Sequence, residues 1–91
     1  MAQAQIDAGL AQLPGWMHED GAIAKTFSFG NYTETMAFVN AVATIAQRED
    51  HHPDMQVGYA KCRVAYSTHS VDGISANDFI CAANIEALCP T

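Results

Sequence analysis

Two adjacent histidines, His51 and His52, precede Pro53, and a third, His69, follows seventeen positions later. A fourth, His18, stands alone near the start. Imidazole exchanges protons near neutrality, so these side chains suit general acid/base work. The adjacent pair follows an apolar-periodic stretch, which puts it at a helix C-terminus, where the helix dipole favours positive charge and suits an acid. His69 reads as the end of an alternating strand and would meet the pair if that strand packs beside the helix terminus. Taken singly, each of these is an ordinary surface histidine. A metal reading also competes, because three histidines with a carboxylate resemble a zinc set. Adjacent ligands build such a site awkwardly, since both rings must turn to one ion. Asp78 and Tyr59 have structural uses of their own: Asp78 fits the last place of a capping box begun at Ser75, and Tyr59 fits core packing. Asp50 reads as a solvated helix end.

The elements that must position these groups follow from periodicity and turn chemistry. Ile6, Leu10 and Leu13 form one apolar stripe, predicting a short helix over 3–13 that Gly9 weakens and Pro14-Gly15 stops. Residues 16–20 read as a strand, and Asp20-Gly21 predicts a tight hairpin turn with positive φ at both positions. In the return strand Ile23, Phe27 and Phe29 share a face. Lys25 interrupts that face, which places the strand near an edge or rim. Asn31 with Glu34 signals a helix start, and the apolar period from Phe38 to Ala46 carries the helix to about Arg48, with Pro53 as its limit. Met55, Val57 and Tyr59 alternate, as do Cys62, Val64, Tyr66 and Thr68, predicting two strands joined near Ala60-Lys61. After a loop at Val71-Asp72-Gly73, Ser75 and Asp78 open a last helix carrying Phe79, Ile80, Ala83, Ile85, Ala87 and Leu88. The expected fold is therefore α+β, one domain over 1–91, with a four-stranded antiparallel sheet and three helices on one face in the order α-β-β-α-β-β-α.

Composition narrows the functional classes. The chain has 91 residues, 49% of them hydrophobic and only 15% charged, with a formal net charge of −6. The four basic residues, Lys25, Arg48, Lys61 and Arg63, are scattered and make no basic stripe, so nucleic acid and anionic membrane surfaces are not expected partners. Three cysteines, Cys62, Cys81 and Cys89, have no CxxC spacing. They support neither a disulfide framework nor a structural zinc site, and reduced thiols in a cytoplasmic location are expected. The first sixteen residues show no basic run and no long apolar core, and nothing approaches a membrane span. The last helix is apolar on more than one side, so its second face is expected to pack on another copy of the chain, with Leu88 and Ile85 as interface positions.

His51-His52-Pro53, then five residues to Tyr59, nine to His69 and eight to Asp78 resembles the signature of the pterin-4a-carbinolamine dehydratases, and the Ser67-Thr68-His69 strand ending is similar too. The signature spans residues 51 to 78, and the inferred element order agrees with the family's from about residue 3 to residue 89. Two positions depart: Gln47 stands where relatives often have an acidic residue, and Met55 where they frequently have an aromatic one. The resemblance implies dehydration of 4a-hydroxytetrahydropterin to quinonoid dihydropterin, recycling the cofactor of aromatic amino-acid hydroxylases. It implies His51 and His69 as the acid/base residues and His52 as the substrate-binding one. Asp78, Tyr59 and Pro53 are implied as supporting residues, and neither metal nor cofactor is needed, since pterin is the substrate. A homodimer or homotetramer through the C-terminal helix and a functional link to a hydroxylase follow from the same resemblance. The alternative is a non-catalytic protein-binding module of this fold, with a transcription-cofactor-like or assembly role.

Overall fold

The computed structural model describes residues 1–88. Helix α1 covers Gln3–Leu10. It stops short of Leu13 because the chain tightens there, with Gln12 and Leu13 donating to Gly9 and Leu10 rather than four residues back. Leu13 is nonetheless buried in the core. Gly9 has a packing use: a Cβ there would come within 2.5 Å of the Phe79 ring, so glycine lets the last helix approach α1.

Strands β1 (Met17–Glu19) and β2 (Ala22–Ser28) form the expected hairpin, with φ of 50° at Asp20 and 77° at Gly21. Helix α2 (Tyr32–Glu49) starts where the sequence placed it, with the Asn31 side chain accepting from the Glu34 amide at 2.8 Å. It ends before Pro53 can act. Asp50 takes a left-handed conformation at φ 50°, and the amides of Asp50 and His51 turn back to Gln47 and Ala46. This left-handed cap reverses the chain and delivers His51 at once.

Strands β3 (Asp54–Val57) and β4 (Lys61–Tyr66) complete an antiparallel sheet in the order β1-β2-β4-β3. Strand β2 is therefore interior, not at an edge. Lys25 faces inward because Glu86 and the Pro14 carbonyl receive its ammonium at 2.6 and 2.9 Å, and the Trp16 indole donates to the same Glu86 oxygen at 2.8 Å. A charge partner, rather than solvent, resolves the break in the apolar face.

Helix α3 covers Ala76–Glu86. The core lies between the inner sheet face (Ile23, Phe27, Val64, Tyr66) and the helices, which contribute Phe38, Val42 and Ile45 from α2 and Cys81, Ala82 and Ile85 from α3. Each such Ile or Val adds about 1.5–3 kcal/mol by leaving water. Ile85 is part of this core, which corrects its expected place at an interface; the outward apolar positions of α3 are Ile80 and, just beyond its end, Leu88. Cys62 and Cys81 are free, buried thiols whose pKa burial pushes up. Cys89 lies outside the described residues.

Candidate active site

Three elements converge on one carboxylate. Asp78 occupies the first turn of α3 and is completely buried. One oxygen, Oδ1, meets His51 Nε2 at 2.5 Å. The other, Oδ2, accepts from the Thr68 hydroxyl and from the Ser75 amide, each at 2.9 Å. Because the Thr68 proton goes to Asp78, the Ser75 hydroxyl must be the donor in its 2.7 Å contact with Thr68. The carboxylate thus ties the end of α2, the segment after β4 and the start of α3 into one hydrogen-bonded unit. The capping use of Asp78 and its use toward a histidine are compatible because each takes a different oxygen.

The same contact settles how His51 is presented. With Nε2 donating to the carboxylate, Nδ1 is the nitrogen left to exchange a proton, and among the described residues it has no hydrogen-bond partner. A buried carboxylate behind an imidazole fixes its orientation and stabilises the cation formed when the ring takes a proton. The other side of the ring is packed: it stacks on Tyr66 with centroids 5.1 Å apart and planes 24° from parallel. The side chain is 14% exposed, so this is a largely enclosed group with a solvent-facing side.

His69 lies beyond the strand that was expected to end with it. Strand β4 stops at Tyr66, and His69 opens a short 3-10 turn, His69–Val71. That turn is pinned at its base, where Thr68 and Gly73 exchange amide–carbonyl bonds of 2.6 and 3.3 Å. Thr68 is also the residue hydrogen-bonded to Asp78, so the carboxylate that holds His51 also holds the neighbour of His69. The His69 side chain itself is exposed. His52 is exposed as well, and its Nε2 meets Gln47 Oε1 at 3.2 Å, one turn back along α2. Gln47 thus offers His52 a neutral hydrogen-bond partner.

Tyr59 is not brought to this centre. It lies in the β3–β4 turn, 69% exposed and stacked on Tyr32, and its carbonyl accepts from Thr35 near the start of α2. The 18 residues of α2 separate that end from His51 by roughly 25 Å. Neither core packing nor support of the histidines within one chain is available to it. Pro53 joins the α2 terminus to β3 and is half-buried. His18 lies on the edge strand β1 and is exposed. Among the described residues, no three His, Cys, Asp or Glu side chains are grouped so as to hold a metal ion.

Two features escaped the sequence reading. The strand pattern marked Tyr66 as apolar, but nothing signalled its stack on His51. Thr68 read as a strand residue and as part of the Ser67-Thr68-His69 ending, with no sign that its hydroxyl completes the Asp78 shell. A hollow of about 420 Å³ opens on the uncovered sheet face, lined by residues that include Glu19, Asp20, Asp54, Gln56, Arg63 and Ser67, and no histidine lines it. A larger hollow of about 500 Å³, lined by Phe27, Phe29, Phe38 and Leu88 among others, has no titratable side chain and lies away from this chemistry.

The chain is similar to known proteins in sequence and in fold. A family model described as pterin 4 alpha carbinolamine dehydratase matches residues 1–88. A Nitrosospira multiformis protein, carried under the provisional name pterin-4-alpha-carbinolamine dehydratase, is 57% identical over 88 residues, covering 97% of this chain and 78% of that protein. A Brucella melitensis structure described as a transcriptional coactivator/pterin dehydratase superposes with a TM-score of 0.95 at 27% identity, covering 99% of this chain and 98% of that one. A further structure, a pterin dehydratase-like protein described as a RuBisCO assembly factor in the alpha-carboxysome, shares the fold at a TM-score of 0.71 and 23% identity, covering 81% and 88% of the two chains.

Proposed function

From the premise that the chain belongs to the pterin-4a-carbinolamine dehydratase family, we propose that it dehydrates a 4a-hydroxytetrahydropterin to the quinonoid dihydropterin by histidine acid/base catalysis. The observation that carries this reading is the Asp78 carboxylate, which holds His51 directly and the segment bearing His69 through Thr68.

The reaction needs two proton transfers and no change of oxidation state. Hydroxide is a poor leaving group, so one histidine protonates the C4a hydroxyl and the C–O bond breaks with loss of water. A ring N–H proton leaves to a second base, and its electron pair forms the new C=N bond. His51 works through Nδ1, and Asp78 offsets the charge of its protonated ring; His69 supplies the partner transfer from the pinned turn. One group ends with an extra proton and the other lacks one, and exchange with water restores both. His52, steadied by Gln47, binds and orients the pterin. The exposed Ile80 and Leu88 suit a homodimer or homotetramer through the C-terminal helix. Recycling of the pterin for an aromatic amino-acid hydroxylase, within a cytoplasm, is the corresponding role.

The deciding experiment supplies freshly generated 4a-carbinolamine to the purified chain. Turnover well above the spontaneous rate, reduced by about 10²–10⁴-fold in His51→Ala and His69→Ala with folding intact, is expected. A wild-type rate equal to the spontaneous one overturns the reading. Binding of the pterin without turnover would favour the protein-binding module instead.

A further inference from the structure

We propose that Tyr66 is a positioning residue for His51: its ring is the floor that fixes the plane of the imidazole, while Asp78 fixes its direction. The inference rests on the acid/base reading of His51. Two constraints are needed to hold a planar ring. A single hydrogen bond to Nε2 leaves the imidazole free to rock about the line from Nε2 to Asp78, and such rocking would swing Nδ1 away from a substrate atom. The Tyr66 ring, 5.1 Å away and 24° from parallel, removes that freedom. It can do so because it is itself immobile. Tyr66 is fully buried at the last position of β4, paired in register with Ile23 and set in the main core cluster.

The hydroxyl points to the same conclusion. Tyr66 Oη is buried with no hydrogen-bond partner meeting normal geometry, with the Cys81 thiol as its polar neighbour. A phenol in that state costs stability relative to phenylalanine, so the hydroxyl explains neither the packing nor the stack. The ring face toward His51 is the part put to use. The covalent path fits as well: two residues beyond Tyr66, Thr68 bonds Asp78, so one stretch of chain supplies both the floor and a brace for the carboxylate.

The test separates ring from hydroxyl and positioning from packing. Tyr66→Phe is expected to keep wild-type turnover, whereas Tyr66→Leu and Tyr66→Met lose about 10–100-fold in kcat with KM little changed. NMR supplies a readout independent of turnover. The His51 ring protons in the wild-type protein should lie upfield, shielded by the Tyr66 ring, and the displacement should persist in Tyr66→Phe. Absence of that displacement in the wild-type protein overturns the proposal even if the aliphatic variants fail to fold. So does full activity in a folded Tyr66→Leu or Tyr66→Met protein. If the wild-type chain shows no turnover, the dehydratase reading fails separately, and the ring-proton shifts still decide whether Tyr66 sets the imidazole.

Discussion

Asp78 and His51, 27 residues apart in sequence, meet at 2.5 Å through a fully buried carboxylate. The contact joins two helix ends: the last turn of α2 releases His51, and the first turn of α3 presents Asp78. Helix termini carry unsatisfied backbone groups that side chains must serve. Here the side chain serving one terminus, through the Ser75 amide, also serves the imidazole released by the other.

Asp78→Asn separates those two duties. The amide oxygen can still accept from Ser75, so the cap survives and stability falls by only about 1 kcal/mol. The imidazole loses its negative partner, and kcat is expected to drop by about 10²–10⁴-fold, as when a buried carboxylate behind a catalytic histidine is neutralised. Asp78→Ala should cost about 1–3 kcal/mol or more, because it also strands buried donors. Urea unfolding followed by circular dichroism, beside turnover of each variant, checks both. Equal activity in Asp78→Asn and wild type would deny the carboxylate a part in catalysis.

Gln47 bears on binding rather than on the chemical step. Its contact with His52 is exposed and 3.2 Å long, so Gln47→Ala should raise KM several-fold with kcat nearly unchanged and stability within about 0.5 kcal/mol. Steady-state kinetics decide the point. A fall confined to kcat would move His52 from binding to proton transfer.

Stability at high pH follows from the buried core. Burial raises Cys62 and Cys81 above their ordinary 9.0, and Tyr66 above its ordinary 10.0, with the Cys81 thiol adding to the Tyr66 shift. Each group binds its proton more tightly folded than unfolded. The stability associated with them is complete below about pH 9, where both states are protonated, and declines as the unfolded chain ionises first. Thermal melts from about pH 8 to about pH 10 should show a plateau followed by a fall, and Cys81→Ala should flatten the fall. A Tm independent of pH over this range would refute it.

Most of the architecture was legible because it is written in local signals. Asp20-Gly21, Asn31 with Glu34, and Ser75 with Asp78 each fix a turn or helix start through bonds within a few residues. What failed was long-range. Lys25 suggested an edge strand because its partner, Glu86, lies 61 positions away. Tyr59 shares a motif with the histidines but sits at the opposite end of α2, since spacing along the chain says nothing about which end of a helix a turn will meet. The signature grouped His51, His69 and Asp78, and the structure joins His51 to Asp78 directly; the parts played by Thr68, noted only within the Ser67-Thr68-His69 ending, and by Tyr66 are not readable from the sequence. Their roles exist only once β4 is laid beside α2 and α3.

Glu86 anchors that arrangement from the other end of α3. One of its oxygens receives both the Lys25 ammonium, at 2.6 Å, and the Trp16 indole, at 2.8 Å. Glu86→Gln keeps an acceptor and should lose about 1 kcal/mol; Glu86→Ala strands both donors and should lose about 1–3 kcal/mol. Lys25→Met with Glu86→Ala should recover part of the loss, because an unbranched apolar chain fills the space without an unpaired charge. Urea midpoints at a constant m value measure it, and additive losses in the double variant would show that the pair is not coupled.

The apolar residues of the last helix divide into two kinds with opposite outcomes. Ile85 has no exposure and packs in the core, whereas Leu88 is 40% and Ile80 52% exposed. A charge at Ile85 must be buried unpaired, so Ile85→Glu should prevent folding. Ile80→Glu and Leu88→Glu place the charge in water and should leave the monomer folded. If copies associate through this helix, the exposed variants will sediment as smaller species than wild type, with circular dichroism unchanged. A wild-type chain that sediments as a monomer at assay concentration would remove the interface and leave Ile80 and Leu88 as ordinary exposed apolar residues.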